Sequence, residues 1–177
     1  MSATDTALSR PGPRDLAGET EPLPEPQRRC VCFRVGAEWF ALPIQRVREI
    51  QPLPHVVRVP HAPPDILGIV NLRGRVLTLL ASEAPLGLPP ADAPSHCLVL
   101  DLGEADPYVG LAIHGAGEVL GVPLSAIQPP PPRAQAPGGL EGVFEAGHRA
   151  VGLIDLARLY GRRLAEWGIE LPPVASR

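Results

Sequence analysis

Gly68-Ile69-Val70-Asn71-Leu72-Arg73-Gly74-Arg75-Val76-Leu77 is the stretch whose reading decides the fold. It runs from an apolar approach through a turn with two arginines and a glycine into a second apolar run, the pattern of a β-hairpin. The same stretch recurs in weaker form as Gly142-Val143-Phe144-Glu145-Ala146-Gly147-His148-Arg149-Ala150-Val151, and with the register kept Leu79-Leu80 falls on Leu153-Ile154. A second block repeats as well. Trp39-Phe40-Ala41-Leu42-Pro43-Ile44 aligns without gaps on Tyr108-Val109-Gly110-Leu111-Ala112-Ile113, and the same register carries Glu49-Ile50 onto Glu118-Val119. Two ordered blocks of matching residue class predict two similar lobes with a groove between them.

Composition supports a mainly β chain. Its 177 residues allow one ordinary domain or two very small ones. Hydrophobic residues make up 45% but aromatics only 4%, so the core has to be built from Val, Leu, Ile and Ala. The 24 prolines and 18 glycines argue against long helices, because proline removes a backbone donor and clashes with the preceding turn. A net charge of −3 gives no electrostatic footprint for nucleic acid or anionic lipid, although all 16 basic residues are arginine. No run of about 20 apolar residues suits a bilayer, and the N-terminus lacks the plan of a signal peptide, so a cytoplasmic protein is expected.

Along the chain, residues 1–27 read as a disordered Pro-rich tail. The rest divides into a first lobe at about 28–92, a second at about 95–156 and a C-terminal amphipathic helix at about 155–168. Val31 to Val35 and Glu38 to Pro43 read as a hairpin around Gly36-Ala37. Ile44, Val47 and Ile50 have helical spacing, which predicts one or two helical turns closed by Pro52 and Pro54. Asp65 suits the cap of a short turn through Ile66-Leu67, and Gly115-Ala116-Gly117 suits a turn. Gly103 to Pro107 reads as a further turn, and Pro129 to Gly139 as a loop.

No set of residues reads as catalytic. The five histidines form no H-x-x-x-H pair, and Cys30, Cys32 and Cys97 lack zinc spacing. The serines lack the Gly-x-Ser-x-Gly elbow. The expectation is a chain without cofactor, metal or catalysis, with a thiol- or histidine-dependent enzyme as the alternative from another class. One charge pair does stand out. Glu49 is flanked by Val47 and Ile50 and Arg73 follows Leu72 at the tight turn, so the two are expected to form a partly buried ion pair that orients a surface.

Ala41-Leu42-Pro43-Ile44-Gln45-Arg46-Val47-Arg48-Glu49-Ile50, followed by Pro63-Pro64-Asp65-Ile66-Leu67-Gly68-Ile69-Val70-Asn71-Leu72-Arg73-Gly74, resembles the CheW family of chemotaxis coupling proteins. Gly110 to Ile113, Gly117 to Leu120, Ile127 to Pro129 and Gly142 through Leu156 extend the resemblance over nearly everything after the tail. It implies two small five-stranded β-barrels with short helices and a C-terminal helix. It also implies an adaptor that joins the cytoplasmic tips of methyl-accepting chemoreceptors to the regulatory domain of a CheA-type histidine kinase, in membrane-associated receptor arrays, without inserting into the membrane. The protein-binding positions it implies are Ile44, Val47, Glu49, Ile50, Gly68, Asn71, Leu72, Arg73 and Gly74. Two departures are visible. Ala81-Ser82 stands where the family carries Asp-Leu, a pair the second half keeps as Asp155-Leu156, and His114 stands where an aspartate is common. A homologue that binds receptors or another regulator without a kinase is the second reading.

Overall fold

The computed structural model describes residues 25–103, 108–132 and 138–171. Most of the expected tail, most of the turn at 103–107 and part of the 129–139 loop lie outside them. Ten strands fill the described residues: β1 (Gln27–Val35), β2 (Glu38–Pro43), β3 (Val47–Pro52), β4 (Ile66–Leu72), β5 (Arg75–Leu80), β6 (His96–Leu100), β7 (Val109–Ile113), β8 (Gly115–Pro123), β9 (Leu140–Ala146) and β10 (Arg149–Ile154). Two helices accompany them, α1 (Glu83–Leu86) and α2 (Leu156–Glu166). The architecture is the expected mainly β one, with two five-stranded sheets in the orders β8-β1-β2-β10-β9 and β3-β6-β7-β5-β4.

Each sheet takes two strands from one half of the sequence and three from the other. The expected lobes at 28–92 and 95–156 therefore do not coincide with the sheets. The seams are the two parallel pairs, β2 with β10 and β5 with β7. The repeat register is the same at both seams: Phe40 faces Gly152 where Val109 faces Thr78, and Ala41 faces Leu153 where Gly110 faces Leu79. Likewise Ile50 pairs with Leu98 where Val119 pairs with Val31. Gapless alignment of the two blocks thus corresponds to real structural equivalence.

Side-chain alternation along the strands sorts the core into three parts. Cys97 and Val99 of β6 join Val70, Leu77 and Leu79 in a small core of one sheet. Cys30, Cys32, Phe144, Val151 and Leu153 form the matching core of the other. Between them lies the largest cluster, which gathers Phe33, Phe40, Leu80, Leu98, Leu111, Ile113, Ile154 and Tyr160 from both halves. Cys30 and Cys32 share one face, as expected of alternate residues on a strand.

Three local expectations are corrected. Ile44–Arg46 forms only a 3-10 turn, and Val47 begins β3, because the backbone from Val47 onward pairs with β6. Gly115-Ala116-Gly117 is not a turn but the start of β8. Gly117 is needed for close approach, since a Cβ there would lie 2.8 Å from both the Cys32 carbonyl oxygen and the Trp39 ring. Asp65 caps no turn. β4 starts at the next residue, and the Asp65 carboxylate instead takes a two-pronged ion pair from Arg163 of α2, with bonds of 2.9 and 2.8 Å.

The two halves end differently for a readable reason. Asp155 accepts the Ala157 and Arg158 N–H groups and caps the eleven-residue α2. At the equivalent position Ala81 has no side chain to do this, Ser82 makes no capping bond, and α1 is a four-residue helix. The Ser82 hydroxyl instead donates to the Ala112 carbonyl, and the Tyr160 hydroxyl donates to the Ala81 carbonyl at 2.6 Å. Both departures in this segment are internal: Ala81 is 9% exposed and Ser82 fully buried.

Candidate protein-binding site

The β4–β5 hairpin closes through two residues, Arg73 and Gly74, with Leu72 facing Arg75. Both have positive φ, 52° and 81°, as a type I′ turn requires. The Asn71 carboxamide oxygen accepts the Gly74 N–H at 2.9 Å and fastens the turn. Gly74 takes this conformation freely, but for Arg73 a left-handed backbone costs roughly 1 kcal/mol. The equivalent residue of the second hairpin is Gly147, with φ 63°. Arg73 is therefore an arginine at a backbone position that favours glycine.

Its side chain is aimed as the sequence leads one to expect. Arg73 Nη1 lies 3.2 Å from Glu49 Oε2, the arginine side chain being 67% exposed and the glutamate 24%. The same Glu49 oxygen accepts a bond from Gln51 Nε2 at 3.0 Å. Gln51 and Glu49 share one face of β3, so the amide holds the carboxylate while Arg73 reaches outward from it.

The nine expected site residues do not form one surface. Glu49, Asn71, Arg73 and Gly74 converge at the hairpin end. Leu72 is buried in the core of its sheet, and Val47 and Ile50 are half-buried against the central cluster, with Ile44 half-buried in the 3-10 turn. Gly68 is buried as well. A Cβ on it would stand 2.5 Å from the Val57 carbonyl oxygen, because residue 57 bridges to Ile69 across the sheet edge. Gly142 makes the matching approach beneath Gln128, which bridges to Val143. Gly68 belongs to the scaffold of its hairpin rather than to the surface of the turn.

Sequence reasoning missed two cation–aromatic contacts. The Arg75 guanidinium lies 4.1 Å over the Tyr108 ring, and that of Arg149 lies 4.2 Å over Trp39. The signal was available, since the repeat places Arg75 on Arg149 and Tyr108 on Trp39. It becomes a contact only once the halves exchange strands.

The three cysteines and His114 are buried. Burial pushes the Cys30 and Cys32 thiols up to about 11 and the Cys97 thiol up to about 12, with the neighbouring Cys32 adding to the shift at Cys30 and Glu118 and Glu49 to those at Cys32 and Cys97. His114, 7% exposed, accepts the Gly36 N–H at Nδ1, while its Nε2 lies 2.7 Å from the Asp92 carbonyl oxygen and 3.3 Å from Glu83. It fastens the β1–β2 turn to the segment that joins the two halves. Among the described residues no group of three or more His, Cys, Asp or Glu is arranged to hold a metal ion, and no helix is long and apolar enough to cross a membrane.

Comparison with known proteins agrees with this geometry. The family model for the CheW-like domain matches residues 29–163. The probable chemotaxis protein CheW of Rhizobium etli is 32% identical over 149 residues, covering 81% of this chain and 94% of its own. The chemotaxis protein CheW of Rhizobium meliloti is 31% identical, covering 75% of this chain and 87% of its own. Among solved structures, the scaffolding protein TtCheW from Thermoanaerobacter tengcongensis superposes with a TM-score of 0.65 at 25% identity, over 76% of this chain and 92% of that one. With its repeat, its two exchanged sheets and its Asn-Leu-Arg-Gly turn, the chain belongs to the CheW family of chemotaxis coupling proteins.

Proposed function

We propose that this protein is a non-enzymatic adaptor that joins the cytoplasmic tips of chemoreceptors to the regulatory domain of a CheA-type kinase. It would work in the cytoplasm, at membrane-associated receptor arrays. The observation that carries this reading is Arg73, held at φ 52° on an exposed turn where its repeat counterpart is glycine. Strain retained without any gain in packing points to a side chain selected for what it contacts outside the molecule. Guanidinium is suited to that work, because its planar fork meets a carboxylate in two bonds. Half-buried Ile44, Val47 and Ile50 supply aliphatic surface of the kind a partner helix accepts. Modest contacts to two partners suffice in an array, since linkage raises effective concentration.

The departure at Ala81-Ser82 is buried, which supports keeping the kinase in the reading. The test is binding of the full chain to a receptor-tip fragment and to the kinase regulatory domain from the same organism. Arg73→Glu is expected to weaken one or both at least tenfold while the far-ultraviolet spectrum stays unchanged. Capture of the receptor fragment alone would select the adaptor without a kinase, and binding of neither would sink the proposal.

A further inference from the structure

His114 stands between β7 and β8, buried, with both ring nitrogens engaged. Nδ1 accepts the Gly36 N–H at 3.1 Å, and a ring nitrogen that accepts carries no proton. Nε2 faces two acceptors, the Asp92 carbonyl oxygen at 2.7 Å and a Glu83 carboxylate oxygen at 3.3 Å, so the ring proton sits there. The surroundings therefore match one form of the ring, the neutral Nε2–H tautomer. The cation matches only half of them. Nε2–H keeps its acceptors, but a proton on Nδ1 would point at the Gly36 N–H, donor against donor.

We propose that His114 is a proton-operated clasp between the β1–β2 turn and the segment that joins the two halves. Neutral, it ties Gly36 of the turn to Asp92 of the segment; protonated at Nδ1, it lets Gly36 go and stays on Asp92 and Glu83. Turn and segment already touch, since a Cβ on Gly36 would lie 3.5 Å from the Ala91 Cβ, so a released turn can part from it. The turn is also tied on its other side, where Arg34 donates from Nη1 to the Gly36 carbonyl at 2.5 Å and from Nη2 to the His114 carbonyl at 3.2 Å. Release is thus local and leaves the sheet paired. Charged and titratable groups face His114 from each element around it: Arg34 of β1, Glu38 at the head of β2, Glu83 of α1 and Asp92 of the joining segment. Behind Ser95, whose hydroxyl donates to the His114 carbonyl and also meets His96 Nδ1, lies His96 of β6. Glu83 accepts from Nε2 in either charge state, so it gives the cation a counter-ion without restoring the Gly36 bond. Of these groups the two histidines are the type whose charge ordinarily changes between about pH 5 and 8.

Imidazole nitrogen NMR and amide exchange on the full chain test the clasp. At about pH 8 the His114 ring should be the Nε2–H tautomer. As pH falls to about 5.5, the protection of the Gly36 amide, taken relative to the intrinsic exchange rate at each pH, should drop about fivefold along the titration curve of the His114 ring. His114→Asn places an amide oxygen near the position of Nδ1 that takes no proton in this range, and there Gly36 protection should change by less than about 1.5-fold. His96→Gln should keep the wild-type response. An Nδ1–H tautomer at the higher pH, a His114 ring that takes no proton over the range, or Gly36 protection indifferent to pH overturns the clasp. So does a response that survives in His114→Asn or vanishes in His96→Gln. If His114→Asn does not fold, the wild-type tautomer and the Gly36 curve beside that of His96→Gln decide it.

Discussion

At the scale of single residues, Arg73 separates the demands of folding from those of binding. Replacing it by glycine removes the left-handed strain and the exposed ion pair together. The strain is worth roughly 1 kcal/mol and an exposed pair typically less. Arg73→Gly is therefore expected to leave stability unchanged or raise it by up to about 1 kcal/mol, whereas Arg73→Ala keeps the strain, loses the pair and costs about 0.5–1 kcal/mol. Both should lose the partner contact. Urea titration of the two variants beside a binding assay checks this, and a glycine variant less stable than the alanine one would contradict the strain argument. The Glu49–Arg73 pair was legible because each charge sits among apolar residues that predict partial burial. Gln51 and the Arg75–Tyr108 stack were not. The first is one polar residue among many, and the second joins strands whose adjacency depends on the exchange between halves.

At the scale of elements, apolar runs bounded by turn residues were readable as strands and a run of mixed polarity was not. β1 and β2 are such runs, buried on both faces over Cys30 to Phe33 and Phe40 to Pro43. The register shift between Val47 and Glu49 breaks the two-residue period in β3, and Ile44, Val47 and Ile50 then match helical spacing equally well. Glycine in β8 reads as turn punctuation, although its purpose is close approach to β1 and to Trp39. The C-terminal helix was legible from its apolar stripe, but not how it is fastened. That depends on Asp65, ninety-eight residues from Arg163 in sequence. The hydrogen-bonded Arg163 guanidinium holds the Asp65 carboxyl below its ordinary value, even though partial burial pushes the other way. A carboxyl depressed in the folded state binds its proton more readily when unfolded, so its contribution is complete above the unfolded value of about 3.9. It declines as pH falls through the lower folded value. Asp65→Asn is expected to cost about 1 kcal/mol at pH 7 and to cost progressively less below about pH 4. Thermal unfolding of both proteins from pH 7 to pH 3 measures the convergence, and a gap that stays constant with pH would assign the effect to packing.

At the scale of the whole molecule, the repeat was legible and its consequence was not. Two similar blocks in sequence suggest two lobes that each fold on their own. The structure instead gives each sheet the first two strands of one half and the last three of the other. Sequence similarity between halves cannot distinguish these arrangements, because a self-contained lobe and an exchanged one present the same strands with the same alternation. The central cluster sharpens the difference, since Phe33 and Phe40 from one half pack in it with Leu111, Ile113 and Ile154 from the other. A chain divided within the 88–95 segment therefore yields two pieces that each lack strands of both sheets and one wall of the largest core. Pieces covering 25–92 and 93–171 are expected to show little β structure alone and to refold on mixing at equal concentration. The reconstituted β signal should depend on concentration as a bimolecular association does. Circular dichroism of each piece and of a dilution series of the mixture is the measurement. A piece with a cooperative melt of its own would show that one half closes on itself, and the parallel seams β2–β10 and β5–β7 would then be dispensable rather than the joints on which both sheets depend.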